Sequence, residues 1–154
     1  MAGSRLSIAA LLPLDPTTDT YDIGRMVRGV IAVFQEDINR DDRILPGHEV
    51  SVMHADSGNY EPHVALRAAT TLFSDVQAST GTLIGWLGPY WDTSCIATQP
   101  LIRGLNQPQL SYGCQAVSLS SKGEFPVWLD LLLGWLGGFM HACRLHVCMP
   151  EIDV

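Results

Sequence analysis

Short apolar runs alternate with amphipathic helical segments along most of the chain, and this alternation limits the folds that the sequence can adopt. The run "RLSIAALLP" reads as a buried strand ended by proline. The next segment has four apolar residues at helical spacing, which form one predicted apolar face: Val27, Ile31, Phe34 and Ile38. The same alternation continues through "HEVSVMHAD", "EPHVALRAATTLFSDV", "TLIGWLG", "TSCIATQPLIRGL" and "PQLSYG". Pro62 suits a first helical turn, whereas Pro100 predicts a kink or an early break.

This β-α-β-α-β-α-β pattern predicts an α/β domain with a doubly wound parallel sheet, because strands separated by helices pair in parallel through right-handed crossovers. Strands are predicted near residues 6–12, 49–54, 82–87 and 108–112, in the order 2-1-3-4. Ligands of such sheets bind beyond the carboxyl ends of the strands. The loops expected at that edge cover residues 14–22, 89–94 and 113–121, and the neutral, donor-rich stretch "SYGCQA" (residues 111–116) leads into the last of these.

Composition excludes several classes of protein. The chain has 154 residues, 47% of them hydrophobic and 16% charged, which suits one packed domain or a piece of a larger one. The net charge of -7 argues against a nucleic-acid partner. No stretch reads as a membrane span, and the short apolar run of the N-terminal segment ends in proline, which is not typical of a signal peptide.

Catalytic and cofactor motifs are also missing from the sequence. It has no G-x-S-x-G elbow, no P-loop and no G-x-G-x-x-G, and "LIGWLGPY" has two glycines but neither the third nor the downstream acid. We therefore expect no enzyme activity and no cofactor. The segment "HACRLHVC" brings together four residues of metal-binding types, but its spacing fits no usual zinc site, so we predict no metal: His141, Cys143, His146 and Cys148.

Three segments carry a resemblance to a known family. "INRDDRILPGHEVSVMHADS", "LGPYWDTSCIATQPLIRGLNQPQLSYG" and "LSSKGEFP" resemble the extracellular ligand-binding region of class C G-protein-coupled receptors and receptor guanylate cyclases. The GABA type B and metabotropic glutamate receptors look most similar. The resemblance covers Leu6 to Pro126 and implies a Venus flytrap, the type I periplasmic-binding-protein fold. Residues 1–126 would form part of its lobe 1, whereas residues 127–154 are an apolar tail without a match, typical of an alternative end or a truncated chain.

The resemblance also implies a ligand site. The family binds a small ligand, often an amino acid, between two lobes, and its lobe 1 contacts fall on six positions here: Trp91, Asp92, Thr93, Gly113, Cys114 and Gln115. Asp92 stands where the family has a ligand-contacting serine. Since carboxylates repel each other, this residue favours a cationic or neutral ligand, or none. Two alternatives stay open, namely that Asp92 and Thr93 only cap a helix and that residues 111–121 are ordinary turn chemistry.

Cysteine usage departs from the family pattern as well. The family often has a disulfide between two positions that hold Asn59 and Trp91 here, so that bridge is expected to be absent. Cys95 and Cys114 are expected at neighbouring strand ends and offer a different pair, but connectivity cannot be read from a sequence.

The functional prediction is a ligand-sensing lobe of a membrane signalling receptor, on the extracellular face of the plasma membrane. The parent would supply the second lobe and the membrane domain, and lobe 1 offers a possible dimer contact. The location of the truncated chain itself stays open. Two alternatives share the fold: a flavodoxin-like α/β enzyme or nucleotide-binding domain, and a solute-binding protein of a transporter.

A partial lobe also predicts uncovered sheet surface and poor solubility, unless the apolar run 131–139 folds back over that surface.

Overall fold

The computed structural model describes residues 4–121 and 128–130. Within them lie five strands, three α-helices and one short 3-10 helix, in chain order β1 (Ser4–Leu12), α1 (Tyr21–Arg40), β2 (His48–Asp56), α2 (Pro62–Ala78), β3 (Gly81–Leu87), α3 (Asp92–Gly104), β4 (Gln109–Ser111), the 3-10 helix (Val117–Ser120) and β5 (Trp128–Asp130). All strand pairs are parallel, and the order is β2-β1-β3-β4-β5. The predicted α/β class and the 2-1-3-4 order are therefore confirmed.

Strand β5 was not predicted from the sequence. It has only three residues, and it pairs with β4 from Gln109 to Ser111. Such a short strand inside an apolar stretch shows no alternation and no turn signal that would mark its bounds. The rest of the tail, including the run 131–139 and the four candidate metal ligands, lies outside the described residues.

Helices α2 and α3 cover one side of the sheet, which we call the α2/α3 face. Its core joins strand residues such as Leu11, Leu83 and Trp86 to the helices. Five residues of α2 are buried there: Ala65, Ala68, Ala69, Leu72 and Val76. The alanines allow α2 to approach the sheet closely, since they add little side-chain volume. Helix α3 continues through the exposed Pro100 to Gly104, so the predicted early break does not occur.

The other side, which we call the α1 face, has α1 as its one described helix. Of the 20 residues of α1, one is buried: Gly24, where a Cβ atom would lie 1.9 Å from the carbonyl oxygen of Pro13. Beside α1 lies an apolar groove of about 340 Å³, lined by residues that include Ile8, Val52, Ile84 and Leu110. Three of the four residues of the predicted apolar face are half-buried, but Phe34 is 61% exposed at the edge of this groove.

Two amide side chains of α1 bind the outer edge of β2. Asn39 donates from Nδ2 to the carbonyl oxygen of Val50 (2.8 Å), and its Oδ1 accepts the N–H of the same residue (2.7 Å). Gln35 Oε1 accepts the N–H of Val52 at 2.8 Å. Because β2 is the first strand of the sheet, these bonds satisfy backbone groups that have no neighbouring strand.

Candidate functional site

The loops after the strands meet at one edge of the sheet, which we call the carboxyl edge. Asp56, at the end of β2, joins two of them: its Oδ1 accepts the N–H of Leu14 (2.8 Å) and that of Gly58 (3.0 Å). Gly88, after β3, has a φ of +79°, and a Cβ atom there would lie 2.2 Å from the carbonyl oxygen of Leu11. The loops after β1 and β3 are therefore in close contact, and only glycine fits at that point.

Trp91 connects the loop after β3 to the loop after β2. Its Nε1–H donates to Oδ1 of Asn59 at 2.7 Å, and the Thr20 hydroxyl donates to the same oxygen at 3.1 Å. The ring of Trp91 lies against that of Tyr60, with centroids 4.1 Å apart. Asn59 and Trp91 are the positions at which the resembling receptors often have a disulfide. A hydrogen bond and an aromatic contact link the two loops here.

Asp92 connects the loop after β3 to the turn after β4. Its Oδ1 accepts the backbone N–H of Gln115 at 2.5 Å and that of Ala116 at 3.0 Å. Asp92 is the first residue of α3, the N-cap residue is Trp91, and the helix has no side-chain cap hydrogen bond. The capping alternative is therefore wrong, because the carboxylate bonds to amides 23 and 24 positions further along the chain rather than to the first turn of its own helix.

Thr93 does not cap α3 either. Its hydroxyl donates to the carbonyl oxygen of Tyr60 at 3.1 Å, so it adds a third contact between the loops after β2 and β3. Trp91, Asp92 and Thr93 thus each bind a different partner outside α3, and the partners lie on the two flanking loops.

Residues 113–116 form a turn whose four backbone N–H groups all have acceptors, and we call it the amide turn. Those of Gly113 and Cys114 donate to the Ser111 hydroxyl oxygen at 3.2 and 2.9 Å. The other two donate to Asp92, as described above. Gly113 also faces the ring of Tyr90, where a Cβ atom would come within 2.3 Å of a ring carbon. The sequence therefore places the one residue without a Cβ where the aromatic ring packs.

A disulfide joins Cys95 of α3 to Cys114 of the amide turn. Both residues are fully buried and pack with Leu119 in a small cluster of their own. The sequence left the pairing open, and the structure resolves it in favour of this pair. The bond fixes the amide turn to the helix that carries Asp92.

Tyr90 and Tyr112 complete the site, and neither was assigned a functional role from the sequence. The rings of Tyr90 and Tyr112 have centroids 6.0 Å apart, and the Tyr112 hydroxyl donates to the carbonyl oxygen of Leu11 at 3.1 Å. Burial, with a smaller contribution from Tyr90, raises the pKa of Tyr112 well above its usual range, so its hydroxyl stays protonated. Their position is the signal that the sequence contains, since Tyr112 directly follows β4 and Tyr90 lies three residues after β3.

The structure thus brings all six predicted site residues to the carboxyl edge. They divide into Trp91, Asp92 and Thr93 around the start of α3 and three residues of the amide turn, which Asp92 contacts directly. Among the described residues, no group of three or more His, Cys, Asp or Glu side chains is placed to hold a metal ion. In the same part of the chain, no helix combines the length and apolar character that crossing a bilayer requires.

Comparison with known proteins identifies the family. The sequence profile of the family described as "Receptor family ligand binding region" matches residues 29–132, more than half of the chain and six residues past Pro126. The chain is also 27% identical over 116 residues to guanylate cyclase 32E of Drosophila melanogaster, a match that covers 70% of this chain and 10% of the length of that relative. The chain therefore spans about a tenth of the relative that it matches. The match and the parallel sheet agree, and the chain belongs to the receptor family ligand-binding region.

Proposed function

We propose that this chain is part of the ligand-sensing extracellular lobe of a membrane signalling receptor, and that its carboxyl edge is one wall of a small-molecule cleft. The observation that carries the proposal is the direct contact of Asp92 with the amide turn. It joins two loops that follow neighbouring strands at the edge where parallel sheets bind ligands. Family membership supports the same function, since the matching family is a ligand-binding region.

The site residues have separate parts in this proposal. Trp91 and Tyr60 offer aromatic surface, and the side chains of Gln115, which is exposed, and Thr93 offer polar groups to a small ligand. A lobe by itself encloses one side of the ligand, whereas ligand sites normally bury most of the ligand surface. The second lobe of the parent receptor therefore supplies the opposite wall.

The buried Cys95–Cys114 disulfide supports an extracellular location. Disulfides persist in oxidising compartments and are rare in the cytosol. The role of the chain is binding rather than catalysis. If the parent has catalytic activity, as the name of the Drosophila relative states for that protein, the activity belongs to another part of the parent.

Two classes of parent receptor are compatible with the fold, a receptor guanylate cyclase and a class C G-protein-coupled receptor. The Drosophila relative favours the first class, because it is a guanylate cyclase by name. The segments "LGPYWDTSC" and "QLSYG" are the basis for the second. Sequencing the gene beyond the segment that encodes the tail separates them. A cyclase domain would indicate the first class, and seven membrane spans would indicate the second.

A dimer through lobe 1 is part of the proposal. Met26, Val30 and Val33 form an exposed apolar stripe on α1, spaced by four and three residues and 49–63% exposed. Such a stripe is suited to packing against a second helix. We propose that the corresponding helix of a second receptor chain covers it.

The ligand-sensing function is tested by calorimetric titration of this chain, and of the parent ectodomain with both lobes, against a panel of amines and amino acids. We expect binding by the two-lobe protein and weak or undetectable binding by the chain alone. Flavin mononucleotide is the control ligand for the flavodoxin-like alternative. Tight flavin binding, or a two-lobe ectodomain that binds no member of a broad small-molecule panel, would contradict the proposal.

A further inference from the structure

We propose that Asp92 is an internal ligand of the amide turn: its carboxylate occupies the position at which this edge would otherwise accept an anion, and so the edge excludes carboxylate ligands. The exclusion of ligands rests on the proposed function. The occupation of the turn does not, because it concerns contacts within the chain.

The amide turn is an anion site by its chemistry. Consecutive backbone N–H groups directed into one concavity attract negative charge, and the N-terminus of a helix adds to the attraction. Here the turn lies beside the first residue of α3. One carboxylate oxygen receives two of the N–H groups, at 2.5 and 3.0 Å, and an ionised acceptor strengthens hydrogen bonds of this kind.

The donors of the turn are fully used. Gln115 and Ala116 donate to Asp92, and the two preceding amides donate to the Ser111 hydroxyl oxygen. An external anion must therefore displace a carboxylate or a hydroxyl before it receives any of the four hydrogen bonds. The Ala116 N–H is part-buried, so its loss of an acceptor would cost some free energy, which also favours retention of Asp92.

The disulfide makes displacement harder. Cys95 lies three residues after Asp92, and Cys114 directly precedes Gln115. The bond therefore holds the acceptor and the two donors within the same small unit. A tethered group acts at an effective concentration of roughly millimolar or higher, so a free carboxylate at lower concentration does not compete.

The consequence for ligand class follows from charge. With Asp92 in place, the edge carries a carboxylate where an amino acid would present its own, and like charges repel. The ligand of the complete receptor therefore directs a neutral or cationic group toward Asp92. Removal of the carboxylate frees two amides and reverses this preference.

The test is amide NMR of the whole chain, with acetate as the probe. We compare the wild type, Asp92→Ser and the matched control Asp22→Ser, which removes an acidic residue from the first turn of α1 instead. In Asp92→Ser, the Gln115 and Ala116 amides should exchange with solvent about tenfold faster or more, and they should shift saturably with acetate. In the wild type and the control, the same amides should be protected and should not respond to acetate.

Two results would overturn the inference: unchanged protection of both amides in Asp92→Ser, or an acetate response in the wild type equal to that of the variant. Asp92→Asn is the second variant in case the serine variant does not fold. It keeps an acceptor oxygen but loses the charge, so protection should be intermediate. The NMR result does not depend on the receptor ligand. A failed acetate test with intact ligand binding by the two-lobe ectodomain therefore rejects this inference alone.

Discussion

The two faces of the sheet differ in how much of their helices they bury. On the α2/α3 face, α2 buries five of its 17 residues, whereas α1 buries one of its 20 on the opposite face. Yet α1 is the more amphipathic helix of the two. Amphipathicity therefore indicates which side of a helix can pack, but the neighbouring elements decide how much of that side is buried.

The difference has a topological cause. Helices α2 and α3 pack against each other as well as against the sheet. Each helix therefore covers the flank of the other and removes it from solvent. Helix α1 packs mainly on β2 and β1, and the groove beside it exposes apolar surface of β3 and β4. In the described part of the chain, α1 is thus the one helix that covers the α1 face.

The largest effect is expected from a substitution on the α2/α3 face. Leu72→Ala removes a side chain that is 3% exposed and should lower the free energy of unfolding by about 2–5 kcal/mol. Phe34→Ala on α1 should cost less than about 1 kcal/mol, because that ring is already 61% exposed. Leu66→Ala, at a site 40% exposed on the same helix as Leu72, is the control. Urea unfolding measures all three, and equal losses for Leu72 and Phe34 would refute the comparison.

Loss of the disulfide should have the next largest effect. Replacing Cys95 and Cys114 together by alanine opens a loop with a sequence separation of 19 residues, which should lower stability by about 2–4 kcal/mol. Thermal unfolding of the wild type with and without reductant gives an independent measure. If neither the double variant nor the reduced protein melts at a lower temperature, the bond does not stabilise the α2/α3 side.

Self-association should depend on the α1 face. Ile84→Ser and Phe34→Ser each place a hydroxyl in or beside the apolar groove and should weaken association of the chain roughly tenfold. Sedimentation velocity over a range of concentrations measures the change. Thr71→Ser, on the exposed side of α2, is the control and should leave association unaltered. A wild-type chain that sediments as a stable monomer would instead indicate that the groove is covered.

A small pH effect should also come from the α1 face. Partial burial, and then the nearby positive charge of Arg28, lower the pKa of His54 below its ordinary value of 6.5. The unfolded chain therefore binds a proton at a higher pH than the folded chain does. The resulting stability is present above the unfolded pKa and is lost as the pH falls from about 6.5 toward the folded pKa. His54→Gln should flatten this part of the pH–stability curve, and an identical slope in both proteins would contradict the assignment.

Sequence periodicity was sufficient to predict the three strand–helix units, because each has a regular apolar pattern, and the position of β4 after them. It failed at Phe34, where the pattern places the ring on the packing side but cannot report that no described element covers it. It also failed at β5, whose three residues are defined by pairing with β4 rather than by their own sequence. Burial and pairing of this kind depend on distant segments, which a local pattern does not contain.

The candidate site was predicted in position but not in its bonds. Parallel topology alone implies that the loops after β3 and β4 lie at one edge, and they do. The partners of Asp92 depend on the path of the amide turn, and that path depends on Ser111 and the disulfide. The bond of Trp91 to Asn59 was not predicted either, because the resemblance marked the two residues as the positions of a missing disulfide but gave no sign of the hydrogen bond between them.

The bonds from α1 to β2 also affect the behaviour of the chain among its own copies. Asn39 presents to Val50 the acceptor and the donor that a further strand would present. Gln35 presents only the acceptor, to the N–H of Val52. A strand from another molecule must expel these amides before it can extend the sheet at β2. Helix α1, which buries so little of itself, thus still protects the chain against fibril growth from this edge.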